Sequence, residues 1–323
     1  MLILSEPAVA SLLSMRDAID AVGKVFEEHA RGRAAFPLRS VAMSERGLVG
    51  AMPGSIREPR AALGAKLVTV FSGNALLGKH THNALIVLFS TATGEPVAAM
   101  DGRYITEVRT AAASAVATRA LAGPGAASAA ILGTGVQAKA HVDALRELGT
   151  FKSIRIWGRE PARSTALAAH FSTGTMRVTA APSIADACRG ADVVCTVTAS
   201  AEPILGADDV EPGAHINAVG ACTPRARELA ADLVSTSRIV CDSREGAMTE
   251  AGDILLAIAD GALQAPPHIA LLGDVLTGKT EGRRSGDEIT LFESLGVAIE
   301  DLACAELVFD RATAQGIGVT VDI

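Results

Sequence analysis

The spacing of apolar and polar positions changes twice along the 323 residues, and each change predicts a different kind of element. In "SMRDAIDAVGKVFEEHARG" the apolar residues recur at helical spacing, and Ser14 with Asp17 three residues on has the form of a capping box, so a helix is expected up to Gly32. Five short runs rich in Val, Leu and Ile follow: "PLRSVAM", "LVGAMP", "GAKLVTVF", "NALIVLF" and "PVAAMDG". Turn residues such as "SERG" and "TATGE" separate them. The last four are interrupted by no helix-length segment apart from the loop "SGNALLGKHTH", which predicts a mostly antiparallel sheet. "RYITEVRTAAASAVATRALA" then reads as a long alanine-rich helix, stopped by "GPG".

From Ser128 strands and helices alternate. "AAIL" leads into a glycine loop and the helix "QAKAHVDALREL"; "SIRIW" precedes a helix with Pro161 in its first turn; "RVT" precedes "SIADACRGA", where Ser183 and Asp186 repeat the capping-box spacing. "DVVCTVT", "AHINAVG" and "RIVCD" add three β-rich runs. The expected fold class is α/β: a Rossmann-type doubly wound parallel sheet plus an α+β N-terminal domain. The closing "LFESLGVAIEDLACAELVFDRATAQG" has a helical pattern and is expected to pack back on the N-terminal domain.

Composition narrows the function classes. A hydrophobic share of 49% against 20% charged residues suits well-packed cores, and the length suits two domains. A net charge of -7 offers no broad basic face, so no nucleic-acid partner is expected. The five cysteines show no CxxC spacing and fit reduced thiols in a cytoplasm. "MLILSEPAVA" lacks a basic leader, and the longest uncharged stretch, 120–138, is broken by glycines and a proline, so no membrane association is expected.

Candidate chemistry starts at "GTGVQA". It follows a strand and opens a helix at the head of the βα series, the setting of a dinucleotide loop. Gly133 permits the tight turn, Gly135 lets the backbone approach a pyrophosphate, and Ala138 lets helix and sheet pack closely. At the end of the second strand stands "WGRE", with Gly158 and Arg159 where an acidic residue would select NAD. Arg159 also reads as a solvated arginine with Glu160 beside it. NADP or NAD is therefore expected, with NADPH favoured.

Arg39 and Lys66 interrupt apolar strands, and Arg109 lies in the small-residue helix. Taken singly, each reads as a solvent-facing residue. Together they supply three cations for one carboxylate. His80 and His82 have no companion ligands for a metal, and none is expected. Cys222 ends a strand where ligands of such sheets bind, and reads equally as a small buried thiol.

"AKLVTVF", "THNALIVLF", "GEPVAAMDGRYITEVRTAAASAVATRALA", "ILGTGVQAKAH", "INAVGACTPRAREL" and "GDEITLFESLGVAIEDLACA" resemble, in order and spacing, the ornithine cyclodeaminase and mu-crystallin family across nearly the whole chain. The resemblance implies a homodimer built through a substrate-binding and dimerisation domain, 1–117 with 302–323, and a dinucleotide-binding domain, 118–301, with the active site in the cleft. It implies that Arg39, Lys66 and Arg109 hold the substrate carboxylate, that Arg109 also touches the cofactor, and that Leu295 lies near the substrate. Thr81, His82, Val136, Gln137, Thr198, Val219 and Ser294 match cofactor contacts, and Arg159 matches the residue that receives a 2'-phosphate.

Two departures from ornithine cyclodeaminases stand out: Cys222 replaces an Asp and Gly50 replaces a Glu. Without those carboxylates the distal ammonium of ornithine would be buried unpaired, at a cost of several kcal/mol. The expected activity is NAD(P)H-dependent reduction of a small α-imino acid: a cyclic ketimine such as pyrroline-2-carboxylate, an open imine as in an amino-acid dehydrogenase, or iminosuccinate. Lys66 is the expected catalytic residue. An NAD-recycling ornithine cyclodeaminase and a non-catalytic NADPH-binding protein remain the alternatives.

Overall fold

The capping box at Ser14 is made: its Oγ accepts Asp17 N at 3.2 Å and Asp17 Oδ2 accepts Ser14 N at 3.2 Å. This computed structural model describes residues 1–57, 60–172 and 176–322. Glu58, Pro59, Thr173, Gly174, Thr175 and Ile323 fall in the expected domain ranges but outside the described residues. By contact the chain divides into two units, Met1–Arg109 with Gly296–Ile323, and Thr110–Leu295.

The first unit begins with β1 (Leu2–Leu4), α1 (Glu6–Leu12) and α2 (Met15–Ala30). Six strands follow: β2 (Ala34–Ala35), β3 (Ser40–Met43), β4 (Leu48–Ile56), β5 (Ala62–Val70), β6 (His82–Phe89) and β7 (Pro96–Asp101). The expected strand "PLRSVAM" shortens to Ser40–Met43, because Pro37 has no N–H for a ladder, and Arg39 stands just before it. α3 (Arg103–Leu121) then carries the chain into the second unit.

That unit supplies β8 (Ser128–Leu132), α4 (Val136–Leu148), β9 (Ser153–Trp157), α5 (Pro161–His170), β10 (Arg177–Ala180), α6 (Ile184–Cys188) and β11 (Val193–Thr196). After β12 (His215–Ala218) come α7 (Ala231–Thr236), β13 (Arg238–Cys241), α8 (Arg244–Ala247), α9 (Gly252–Ala259), β14 (Ala270–Leu271), α10 (Leu272–Leu276) and β15 (Thr290–Glu293). The chain returns to the first unit through α11 (Ala298–Gln315) and ends with β16 (Val319–Thr320).

The first unit's sheet runs β16-β1-β7-β6-β5-β4-β2, with β3 also on β4; β1 and β7 are parallel and the other pairs antiparallel. α11 packs on β4, β5 and β6. Two glycines in register make the notch for it. A Cβ on Gly54 would lie 3.2 Å from Ala298 Cβ, and one on Gly64 would lie 3.0 Å from Leu302 Cδ2. At its far end Arg311 binds the Asp17 carboxylate at 2.7 and 2.8 Å and Leu12 O at 2.7 Å. On the opposite sheet face, where the pleat sends alternate residues, Val49, Leu63, Leu67 and Leu85 stay exposed.

The second unit's eight strands are all parallel, in the order β10-β9-β8-β11-β12-β15-β13-β14. Apolar side chains pack against both faces, as a doubly wound sheet requires. At the second expected capping box Ser183 Oγ accepts Asp186 N at 3.0 Å, while the Asp186 carboxylate takes the Ser183 hydroxyl at 2.6 Å.

One expectation is overturned. The helical pattern of the closing segment predicts a helix from "LFESLG" onward, yet Thr290–Glu293 is a fully buried strand between β12 and β13, and the helix begins only at Ala298. Four residues, Thr-Leu-Phe-Glu, are too few to show a period that separates a buried strand from a helix turn.

Candidate functional site

The first unit gathers its cations at the start of α11. Lys66 lies on the face of β5 that meets α11, in register with Met52 and Ile86, and is 1% exposed. Its Nζ stands 2.7 Å from Asp301 Oδ2. Arg109, buried on α3, places Nε 3.2 Å from Asp301 Oδ1 and Nη1 2.9 Å from Glu300 Oε2. Arg39, half-buried before β3, donates from Nη2 to Gly296 O at 3.2 Å. Gly296 has φ +76°, and a Cβ there would sit 2.2 Å from Arg109 Nη1, so only glycine admits the guanidinium.

Both carboxylates occupy the first turn of α11, where the helix dipole favours anions. Glu300 Oε1 also accepts Val297 N at 3.0 Å, which fixes the turn. Burial, then the Arg109 charge, lowers the Lys66 ammonium to about 8, against the pull of Asp301 and Glu300. Burial raises the Glu300 carboxyl, against the pull of Arg109.

Thr81 and His82 enter β6, with Thr81 Oγ1 and His82 Nδ1 3.1 Å apart. Desolvation and the Lys66 charge hold the His82 imidazole below the usual range. Lys79 and His80, in the preceding loop, are exposed.

In the second unit the loop after β8 has the geometry of an anion cradle. Gly133, at φ +139°, passes so close to β11 that a Cβ would lie 2.8 Å from Val197 O. Gly135 caps α4 with nothing within 4 Å of where its Cβ would stand, leaving the helix N-terminus open. Val136 is exposed on the first turn, and Gln137 Oε1 is buried without a hydrogen-bond partner among the described residues. At the end of β9 a Cβ on Gly158 would meet Thr134 Cγ2 at 2.5 Å; Arg159 beside it is exposed. These features fit a dinucleotide: close backbone, open helix end, unused acceptor.

Thr198, Val219, Cys222, Ser294 and Leu295 follow the ends of β11, β12 and β15. Val219 N bonds Thr196 O at 3.0 Å, and Ser294 N bonds Ala218 O at 2.9 Å. Ser294 Oγ is a second buried group without a partner among the described residues. Cys222 Sγ donates to Val219 O at 3.3 Å, and Leu295 N to Asp242 Oδ2 at 2.7 Å.

Sequence reasoning missed the acids. Glu300 and Asp301 were visible only as two carboxylates inside the apolar "VAIEDLACA". In the second unit buried Glu228 accepts Thr198 N and Oγ1, each at 2.6 Å, and Gly220 N at 2.8 Å, tying the exits of β11 and β12 together. Asp253 Oδ1 in turn accepts Glu228 N and Leu229 N at 2.8 and 2.7 Å. Burial raises Asp253 to about 7 and pushes Glu293 well above the carboxylate range, with Asp253, Asp242 and Glu228 adding to the latter. No group of three or more His, Cys, Asp or Glu among the described residues is arranged to hold a metal ion. No described helix is long and apolar enough to cross a membrane.

Residues 1–316 match the model of the ornithine cyclodeaminase/mu-crystallin family. The chain belongs to that family. Among its members, the ketimine reductase mu-crystallin of Mus musculus is 41% identical over 276 residues, 85% of this chain and 84% of the mouse protein. The Thermococcus litoralis Δ1-pyrroline-2-carboxylate reductase, solved with NADH and L-proline, superposes with a TM-score of 0.95 at 34% identity, covering 99% of this chain and all of that one. An archaeal alanine dehydrogenase dimer with bound NAD gives 0.94 at 32% identity, over 100% and 99% of the two chains.

Proposed function

We propose that this protein reduces small α-imino acids with a reduced nicotinamide cofactor. The observation that carries the reading is the convergence of Arg39, Lys66 and Arg109 on the Gly296–Asp301 segment, in a chain similar to a ketimine reductase and a pyrroline-2-carboxylate reductase. The first unit is the substrate-binding and dimerisation domain, and the second binds the dinucleotide through Gly133, Gly135, Val136, Gln137, Gly158 and Arg159.

Arg109 offers a planar fork and Lys66 and Arg39 further donors, a set that holds one carboxylate by charge-assisted bonds. A carboxylate so held fixes the adjacent imine carbon, and positioning supplies most of the rate. The chemistry that a reduced nicotinamide supplies is hydride donation to that carbon. Lys66 holds a proton at Nζ and delivers it to the imine nitrogen where the substrate arrives unprotonated. Its pKa of about 8 lies close to working pH, as proton transfer in either direction requires.

From the family resemblance we assign Thr81, His82, Thr198, Val219 and Ser294 to cofactor binding, and Cys222 and Leu295 to substrate binding. The uncharged Cys222 and Gly50 suit an apolar or cyclic imine better than a distal ammonium. Arg159, exposed at the end of β9, favours NADPH over NADH. The apolar row Val49, Leu63, Leu67 and Leu85, each about 40% exposed, is the face through which two copies form the homodimer. The protein acts in the cytoplasm.

The test follows loss of reduced-cofactor absorbance with pyrroline-2-carboxylate, piperideine-2-carboxylate, and pyruvate or oxaloacetate plus ammonia, using NADPH and NADH in turn. Turnover of at least one imine is expected. Consumption of L-ornithine without net cofactor change would make the protein a lyase, and binding without any turnover would make it a carrier.

A further inference from the structure

We infer that Asp301 is a positioning residue, whose one carboxylate holds Lys66 Nζ and Arg109 Nε side by side so that both cations meet an incoming carboxylate already assembled. The inference rests on the reading of Lys66 and Arg109 as the substrate's anchors. Asp301 is fully buried, with one oxygen 2.7 Å from Lys66 and the other 3.2 Å from Arg109. Each oxygen therefore serves a different cation, and neither cation can swing away without stripping a buried partner.

Its own place is set from two sides. The glycine notch seats α11 on β4 and β5, and the Glu300 bond to Val297 N fixes the first turn. The stem of Lys66 runs from β5 between the apolar Met52 and Ile86, so Asp301 is where its charge ends.

Charge reinforces the geometry. The groups that face Lys66 are Arg109 from α3, Asp301 and Glu300 from α11, and His82 from β6, while β4 presents only Met52. Burial and Arg109 favour a neutral amine; Asp301 and Glu300 oppose them, Asp301 as the ion-pair partner at 2.7 Å. Glu300 bonds Arg109 and its own helix turn, which leaves Asp301 as the direct support of Lys66.

The test is a ¹³Cε-lysine NMR titration of the protein, with the Lys66 signal assigned by its loss in Lys66→Arg. A wild-type midpoint of about 8 is expected, falling by at least about one pH unit in Asp301→Asn and recovering in Asp301→Glu. A midpoint unchanged in a folded Asp301→Asn protein would overturn the proposal. Should the asparagine variant not fold, ¹³Cγ-aspartate labelling of the wild type decides. The Asp301 carboxyl carbon must then shift with the same midpoint as Lys66, and a flat Asp301 signal overturns the proposal. Neither readout needs turnover, so failure here leaves the reductase reading standing, and absence of imine reduction leaves the titration interpretable.

Discussion

The two units bury charge in opposite ways. In the first, Lys66 and Arg109 face Asp301 and Glu300, cations and anions in equal number within one turn of α11. In the second, Glu228, Asp242, Asp253 and Glu293 crowd the ends of parallel strands, all of them carboxyls. In the first set opposite charge favours the ionised forms, against burial, which lowers Lys66 and raises Glu300. In the second set Glu228, Asp242 and Asp253 accept backbone N–H groups, at Thr198, Gly220, Glu228, Leu229 and Leu295, while burial raises Glu228, Asp253 and Glu293 above the usual carboxylate range. A cluster of paired opposite charges is ready to exchange a partner for a ligand, whereas carboxyls bound to backbone N–H groups hold loops in place.

Lys66→Met breaks the comparison most severely. It removes the cation at the reacting end and should lower kcat/KM for the imine by about 10²–10⁴-fold, with the dinucleotide dissociation constant nearly unchanged. Steady-state kinetics beside fluorescence titration of the cofactor checks both halves, and undiminished turnover would remove Lys66 from the chemistry.

Glu300→Gln should cost about 3 kcal/mol in urea unfolding, the lower end for breaking a buried pair, because Asp301 still faces Arg109. In the second unit Glu228→Gln keeps one acceptor oxygen and loses the other. It should cost about 1–3 kcal/mol and raise the KM for the dinucleotide more than it lowers kcat. Glu293→Gln replaces a protonated acid by an amide of the same shape and should cost less than about 1 kcal/mol. If the Glu293 variant is hurt as badly as the Glu300 variant, the contrast between the units is wrong.

A pH slope probes the acid set from another side. Asp253 has a folded pKa of about 7, above the 3.8 of the free side chain, so between those values the folded state holds more protons than the unfolded one. Its contribution to stability is present below about pH 4 and declines as pH rises towards about 7. Asp253→Asn should flatten that decline in melting temperature across pH 4 to 7.

How much of this was legible in the chain depends on periodicity. α2, β4–β7 and the βα series could be read because each repeats over enough residues to show a period, the glycine loop from its place between a strand and a helix, and the capping box at Ser14 fixed one boundary. β15 could not, being four buried residues long; nor could the two-residue β2, β14 and β16. The cations stood out because Arg39 and Lys66 interrupt apolar runs. The acids that orient them did not, since Glu300 and Asp301 sit at helical positions where exposed acids are common, and only the tertiary seating of α11 in the Gly54–Gly64 notch turns them inward.

The central claim is that three fixed cations grip the carboxylate of an imino acid. Its most direct measurement compares kcat/KM for pyrroline-2-carboxylate with that for 1-pyrroline, the same ring without the carboxylate. Charge-assisted bonds of about 1.5–3 kcal/mol each predict a loss of at least about 10²-fold for 1-pyrroline. Equal turnover of the two rings would contradict the account.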